Sequence, residues 1–261
     1  MTFDQYSWTG QSAYRNQIHQ SFEPVQPYVF FQYAAAAACN IFFDIGANVG
    51  VYTILTKTCK TVTEIYAFEP DETAFCHLVQ NISSNKMTEV ATAFDLVVSD
   101  QSGMVNFGTQ APASGINAVI STSIHGMEHY PSTSTRLSIS IDEFYHGKNQ
   151  TIAFKIDVEG HENQVLEGAQ RVLVENAAII QCEIYQNHEE TTKFMADLGY
   201  RKIFAIKNDY YFSNIAHLVG EQVNLDIISK ALSKFVDDSV TALYRYGIQR
   251  PTGNVSGTPT L

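Results

Sequence analysis

From Ile41 onward the chain repeats one rhythm: a short apolar run, a stop at an acid or a small-residue turn, then apolar residues at helical spacing. IFFDI (41–45), EIYAF (64–68), ATAFDLVV (91–98), TIAFKID (151–157) and AAIIQCEIY (177–185) are the apolar runs. They are too continuous to present one face to water, which predicts strands buried on both faces. Between them, VYTILTKTC, DETAFCHLVQNI, HENQVLEGAQRVLVEN and NHEETTKFMADLGY read as helices. The second starts near Asp71 with acids in its first turn, and the last is closed by Gly199 as a C′ glycine. KIFAI and DYYFSNI (202–215) are close enough to form a terminal hairpin. Strands alternating with helices predict an α/β fold with a mainly parallel sheet covered on both faces.

Two regions break the rhythm. After the turn-rich Ser99-Asp100-Gln101-Ser102-Gly103, residues 101–141 give MVNFG, a Ser/Thr/Gly/Ala-rich stretch and the alternating RLSISI. That pattern predicts an inserted hairpin whose loop, about 108–136, is a mobile cover on the acceptor side. Residues 1–40 are polar and aromatic, then helical, and are expected to form a lid or packing segment. Residues 41–216 then make one domain, and 217–261 an amphipathic helix with a frayed tail from Arg250. FFQYAAAAACNIFF (30–43) falls short of the roughly 20 apolar residues a membrane span needs and reads as a helix leading into the first strand. The polar N-terminus lacks the charged start and apolar core of a signal peptide, so a cytoplasmic protein is expected.

The net charge of -11, with few and scattered basic residues, argues against a nucleic-acid partner. Four cysteines (Cys39, Cys59, Cys76 and Cys182) lie far apart with no CxxC pair, which argues against a zinc site or disulfide framework and suits a reducing compartment.

Ligands of such sheets sit beyond the carboxyl ends of the strands, where DIGANVG follows the first strand. Gly46 permits a tight turn, Gly50 lets the next helix approach, and the helix start offers amide donors. Glu69 ends the second strand, where an acid accepts hydrogen bonds from ribose hydroxyls. Asp44 separates two cofactor classes. A pyrophosphate beside it is repelled, and the spacing GxxxG differs from the GxGxxG of dinucleotide loops. S-adenosylmethionine, with a sulfonium, an ammonium group and no phosphate, suits both acids.

FKIDVEGHENQVLEGA (154–169), together with FFDIGANVGVYTI, YAFEPD and DLVVSDQSG, resembles the FkbM family of S-adenosylmethionine-dependent methyltransferases over about residues 41–200. The resemblance implies a Rossmann-like class I methyltransferase fold of seven strands, the last antiparallel. It also implies methyl transfer to a hydroxyl of a saccharide or natural-product acceptor. By motif position, Asp44, Gly46, Ala47, Asn48, Gly50 and Thr53 belong to the methionine end of the cofactor. Glu69, beside Pro70, belongs to the ribose, Ser99 and Asp100 to the adenine, and Asp157 to the boundary between cofactor and acceptor. The Asn/Asp-Pro-Pro-aromatic motif of nucleobase amine methylation is missing at that strand end.

An alcohol is a poor nucleophile at neutral pH, so a positioned base is expected, typically contributing about 10²–10⁴-fold. Asp157, Glu159, His161 and Glu162 cluster at one strand end, with Glu183 and His188 around the next. Asp157, His161 and Glu183 are the catalytic candidates. Competing readings make Glu162 a first-turn acid, Glu159 a cap, and His188, His125 and His129 surface residues. Asp157, Glu159 and Glu183 also offer oxygen ligands to a divalent ion such as Mg²⁺ or Ca²⁺, although nothing in the spacing requires one. The alternatives are a nicotinamide-dependent oxidoreductase and a non-catalytic cofactor-binding protein.

Overall fold

The computed structural model describes residue 23 and residues 25–245; the expectations for 1–22 and for the tail from Arg250 lie outside these. The main sheet contains β1 (Ile41–Ile45), β2 (Glu64–Phe68), β3 (Ala91–Phe94), β8 (Thr151–Ile156), β9 (Ala177–Glu183), β10 (Arg201–Ile206) and β11 (Asp209–Ser213). Its order is β3-β2-β1-β8-β9-β11-β10, every pairing being parallel except those made by β11. All five residues of β1 are buried, as the continuous apolar run required.

Helices cover both faces. On one lie α1 (Gln26–Ala36), α2 (Val51–Leu55), α3 (Glu72–Ser84) and α8 (Glu221–Arg245), packed around Phe30, Phe42, Ile54, Leu78 and Ile227. On the other lie α4 (Ile141–Phe144), α5 (Glu162–Glu167), α6 (Gln170–Glu175) and α7 (His188–Asp197), around Phe43, Phe154, Val165, Leu173 and Met195. α1 is tied to α8 by the Tyr28 hydroxyl to Asp238 (3.1 Å) and the Tyr33 hydroxyl to Asn224 (2.8 Å). Asp71 caps α3 through the Ala74 amide (2.8 Å), and Gly199, at φ 86°, ends the turn after α7.

Four elements differ from the sequence pattern. The helix after the glycine loop keeps only 51–55, because the Thr56 and Thr58 hydroxyls bond back to the Thr53 and Leu55 carbonyls and tighten the chain into a 3-10 turn. The run 91–98 splits after Phe94, and β4 (Val97–Val98) leaves the main sheet to pair with residues 138–139. The single helix expected over 161–176 breaks around Gly168, where a side chain would overlap the Ser99 carbonyl.

The insertion is more than a hairpin. β5 (Gly103–Thr109), β6 (Ala118–Val119) and β7 (Ser132–Ile139) join β4 in a second sheet, ordered β4-β7-β5-β6. Its loop is fastened to the main body, because Asp71 accepts from the Ala113 amide (3.1 Å) and the Asn117 side chain (3.0 Å).

Candidate functional site

A cavity of about 780 Å³ opens at the carboxyl ends of β1, β8 and β9. Residues 46–48 of the glycine loop and 110–116 of the insertion line it, together with Asp44, Lys155, Asp157 and Glu183. A smaller pocket beside it is lined by Gly46, Glu69, Pro70, Val97, Asn117, Asp157 and His161.

The glycine loop is shaped by contact. Gly46 sits at φ 78°, and a Cβ there would overlap the Asp157 carbonyl oxygen, so only glycine lets the β1 and β8 exits touch. Gly50, at φ 86°, faces Leu78 of α3, and it lines neither cavity. Asp44 is buried beneath the loop, its Oδ2 accepting from the Thr53 amide (2.8 Å) and hydroxyl (2.5 Å). Burial pushes its carboxyl up to about 6 against those bonds and the Lys155 charge. Thr53 is thereby bound to the chain's own acid and stands behind the cavity wall. Glu69 accepts from the Asn48 amide (2.7 Å) and the Asp71 amide (2.8 Å), which joins the loop to the start of α3. Burial pushes it up to about 8 despite both bonds.

The polar floor follows from strand register. Asp44, Lys155, Gln181 and Tyr211 are neighbours in one row across β1, β8, β9 and β11, and Glu183 pairs with Asp209 one step further out. Lys155 is buried, its ammonium 3.2 Å from Asp157, 3.9 Å from Asp209 and 4.0 Å from Glu23, and 5.2 Å from the Tyr52 ring centroid. Burial disfavours its charge, but the surrounding carboxylates outweigh that and hold its pKa well above the usual lysine value. Glu23 accepts from the Tyr52 hydroxyl (2.6 Å), which receives the Gln181 amide (3.0 Å).

Asp157 and Glu183 lie side by side, their oxygens within 4.8 Å, and Tyr185 donates to Glu183 (2.7 Å). Burial, then the neighbouring Asp157 charge, raises the Glu183 pKa far above the carboxylate range. Burial and the same neighbour push Glu159 up to about 8.

His161 lies elsewhere. It is buried, Nε2 meeting the Ser99 hydroxyl (2.9 Å) and Nδ1 the Thr122 hydroxyl (2.8 Å). It lines the small pocket and is absent from the large one, so Asp157 and His161 do not jointly face the space beside Glu183. Ser99 spends its hydroxyl on His161 and Asp100, and neither Ser99 nor Asp100 lines either pocket. Glu162 is the first-turn acid of α5 and accepts from the Gly160 amide (2.9 Å). His188 begins α7 and stacks on Tyr210 at 5.0 Å. Of the carboxylates expected around a divalent ion, Asp157 and Glu183 group with Glu23, their oxygens within 4.8 Å of one another, while Glu159 stays outside. Lys155 already supplies positive charge beside that group.

Sequence reasoning missed Lys155, Glu23 and Asp209. Lysine is almost never buried unless paired, so a lysine inside TIAFKID signals a buried charge network. Glu23 comes from a polar segment that carries no comparable signal.

This strand order, with its one antiparallel strand, a glycine loop at the exit of β1 and acids at the exits of β2 and β8, defines a Rossmann-like methyltransferase fold. The chain belongs to the FkbM methyltransferase family, whose domain matches residues 44–202. Over 161 residues it is 26% identical to the hexuronic acid methyltransferase AglP of Haloferax volcanii. That match covers 60% of this chain and spans 62% of the relative's length. The crystal structure of methyltransferase FkbM from Methylobacillus flagellatus aligns at 16% identity with a TM-score of 0.45, covering 67% of this chain and 43% of that one. A methyltransferase from Geobacter sulfurreducens aligns at 11% identity with a TM-score of 0.46, covering 78% and 86%. Among the described residues no helix is long and apolar enough to cross a membrane.

Proposed function

We propose that the protein is an S-adenosylmethionine-dependent O-methyltransferase acting on a hydroxyl of a saccharide or related polyol. The observation that carries this reading is the juxtaposed Asp157 and Glu183 carboxyls in a cavity floored by the glycine loop of a methyltransferase-family chain. The hexuronic acid methyltransferase relative supports a sugar hydroxyl as acceptor.

The residues fit the cofactor. Its sulfonium and ammonium groups call for acids and a close backbone, which Asp44, Asp157 and residues 46–48 supply, with Glu69 and Pro70 for the ribose. A dinucleotide fits poorly, because the helix start that would hold a pyrophosphate has its Thr53 amide filled by Asp44. When bound, S-adenosylmethionine supplies the electrophilic methyl group. The carboxylate of the Asp157–Glu183 pair takes the acceptor proton, and Tyr185 and Lys155 hold that pair in place. The 110–116 segment excludes water from the acceptor side. His161 ties the insertion to the Ser99 turn and serves as a positioning residue.

The test is transfer of labelled methyl from the cofactor to a panel of neutral, amino and uronic sugars by the parent, Asp157→Asn and Glu183→Gln. Loss of about 10²-fold or more in either variant, with cofactor affinity kept, supports the assignment. Unchanged rates in both remove the pair from the chemistry.

A further inference from the structure

The charge around the cavity restricts what can enter it. Glu23, Asp44, Asp157, Glu159, Glu183 and Asp209 line it, against two lysines. Lys155 is buried among Asp157, Asp209 and Glu23, so its ammonium is committed to the chain's own carboxylates. Lys207 is exposed at the turn between β10 and β11. The insertion contributes residues 110–116, QAPASGI, a wall with no charge. A bound S-adenosylmethionine, with two cationic centres and one carboxylate, offsets only part of the excess.

Resting on the methyl-transfer reading, we infer that the acceptor carries no carboxylate: it is a neutral or ammonium-bearing polyol, and an amino sugar matches the cavity best. Hydroxyl groups donate to carboxylates and an ammonium pairs with them. A carboxylate brought among them adds negative charge to a lining whose own acids, Glu159 and Glu183, are already pushed toward their protonated forms, in a setting where water screens poorly. Glu159, pushed up to about 8, is the acid best placed to read this at alkaline pH, since it lines the cavity with its side chain 12% exposed and has His125 at 3.9 Å. A carboxylate-bearing acceptor would have to rely on Lys207 at the rim.

The experiment titrates methyl glucoside, methyl glucosaminide and methyl glucuronide into the full chain at pH 9, where Glu159 is ionised, with and without saturating S-adenosylhomocysteine, by calorimetry. The glucuronide is expected to bind at least about tenfold more weakly than the better of the other two. Glu159→Gln should narrow that gap, and Lys207→Gln should leave it unchanged. A glucuronide within tenfold of the better sugar overturns the inference, as does glucuronide binding that Lys207→Gln abolishes. Failure of all three sugars to bind at millimolar concentration overturns it too. S-adenosylhomocysteine failing to bind counts against the methyl-transfer reading alone, because the order of the sugars is still read on the free protein.

Discussion

Lys155, which is buried, and the half-buried Asp157, two residues apart at the exit of β8, form an ion pair of 3.2 Å at the meeting point of the glycine loop and the acids of β9 and β11. The pair is the hinge of the site's electrostatics. Lys155 keeps several carboxylates tolerable in one buried place, and Asp157 reaches the cavity with its side chain fixed.

Lys155→Met should therefore destabilise strongly. Removing one partner of a buried charge pair leaves the others uncompensated and costs on the order of 3–5 kcal/mol. Urea denaturation at pH 8 and pH 5 checks this. The loss should shrink at pH 5, where protonation relieves the stranded acids; an equal loss at both would show that packing alone was removed.

Glu69→Ala should affect both binding and folding, because the carboxylate ties the Asn48 and Asp71 amides together. Leaving two buried amide donors unpaired costs about 1–3 kcal/mol each. We expect a lower Tm and weaker S-adenosylhomocysteine binding together. Weaker binding at an unchanged Tm would mean that the two amide bonds contribute nothing to the fold.

His161 provides a pH test. Burial lowers its pKa from 6.5 to about 4, with Asp100 opposing. A depressed pKa gives stability that is complete above pH 6.5 and lost as pH falls through about 4. The gap in unfolding free energy between the parent and His161→Gln should therefore close by on the order of 3 kcal/mol across that window. A gap independent of pH would show that the imidazole is not held neutral by burial.

Gly46→Ala should fail more completely than Gly50→Ala. Both glycines have positive φ, but a Cβ at 46 meets the Asp157 carbonyl, which is backbone, whereas at 50 it meets the movable end of Leu78. Expression and thermal melts of the two variants check the order. Equal stability would mean that the β1 and β8 exits can separate at little cost.

Much of this was written locally. IFFDI, TIAFKID and AAIIQCEIY placed the central strands because full burial demands continuous apolar residues, and Asp71 and Gly199 marked helix ends through capping chemistry. The second sheet was not legible, since β5 and β7 pair residues 103–109 with 132–139 across a long loop. The break at Gly168 depends on the distant Ser99 carbonyl. In the site, DIGANVG was found by its position after a buried strand. The Glu23–Lys155–Asp209 network was not, because its members come from three separated segments and only Lys155 stands out within its own run.

Isothermal titration of the parent with S-adenosylhomocysteine and NAD⁺ tests the methyl-transfer assignment most directly. Binding of S-adenosylhomocysteine alone is predicted, with a rise in stability of about 2.7 kcal/mol at 100 times its Kd. Binding of NAD⁺ with no response to S-adenosylhomocysteine would contradict it.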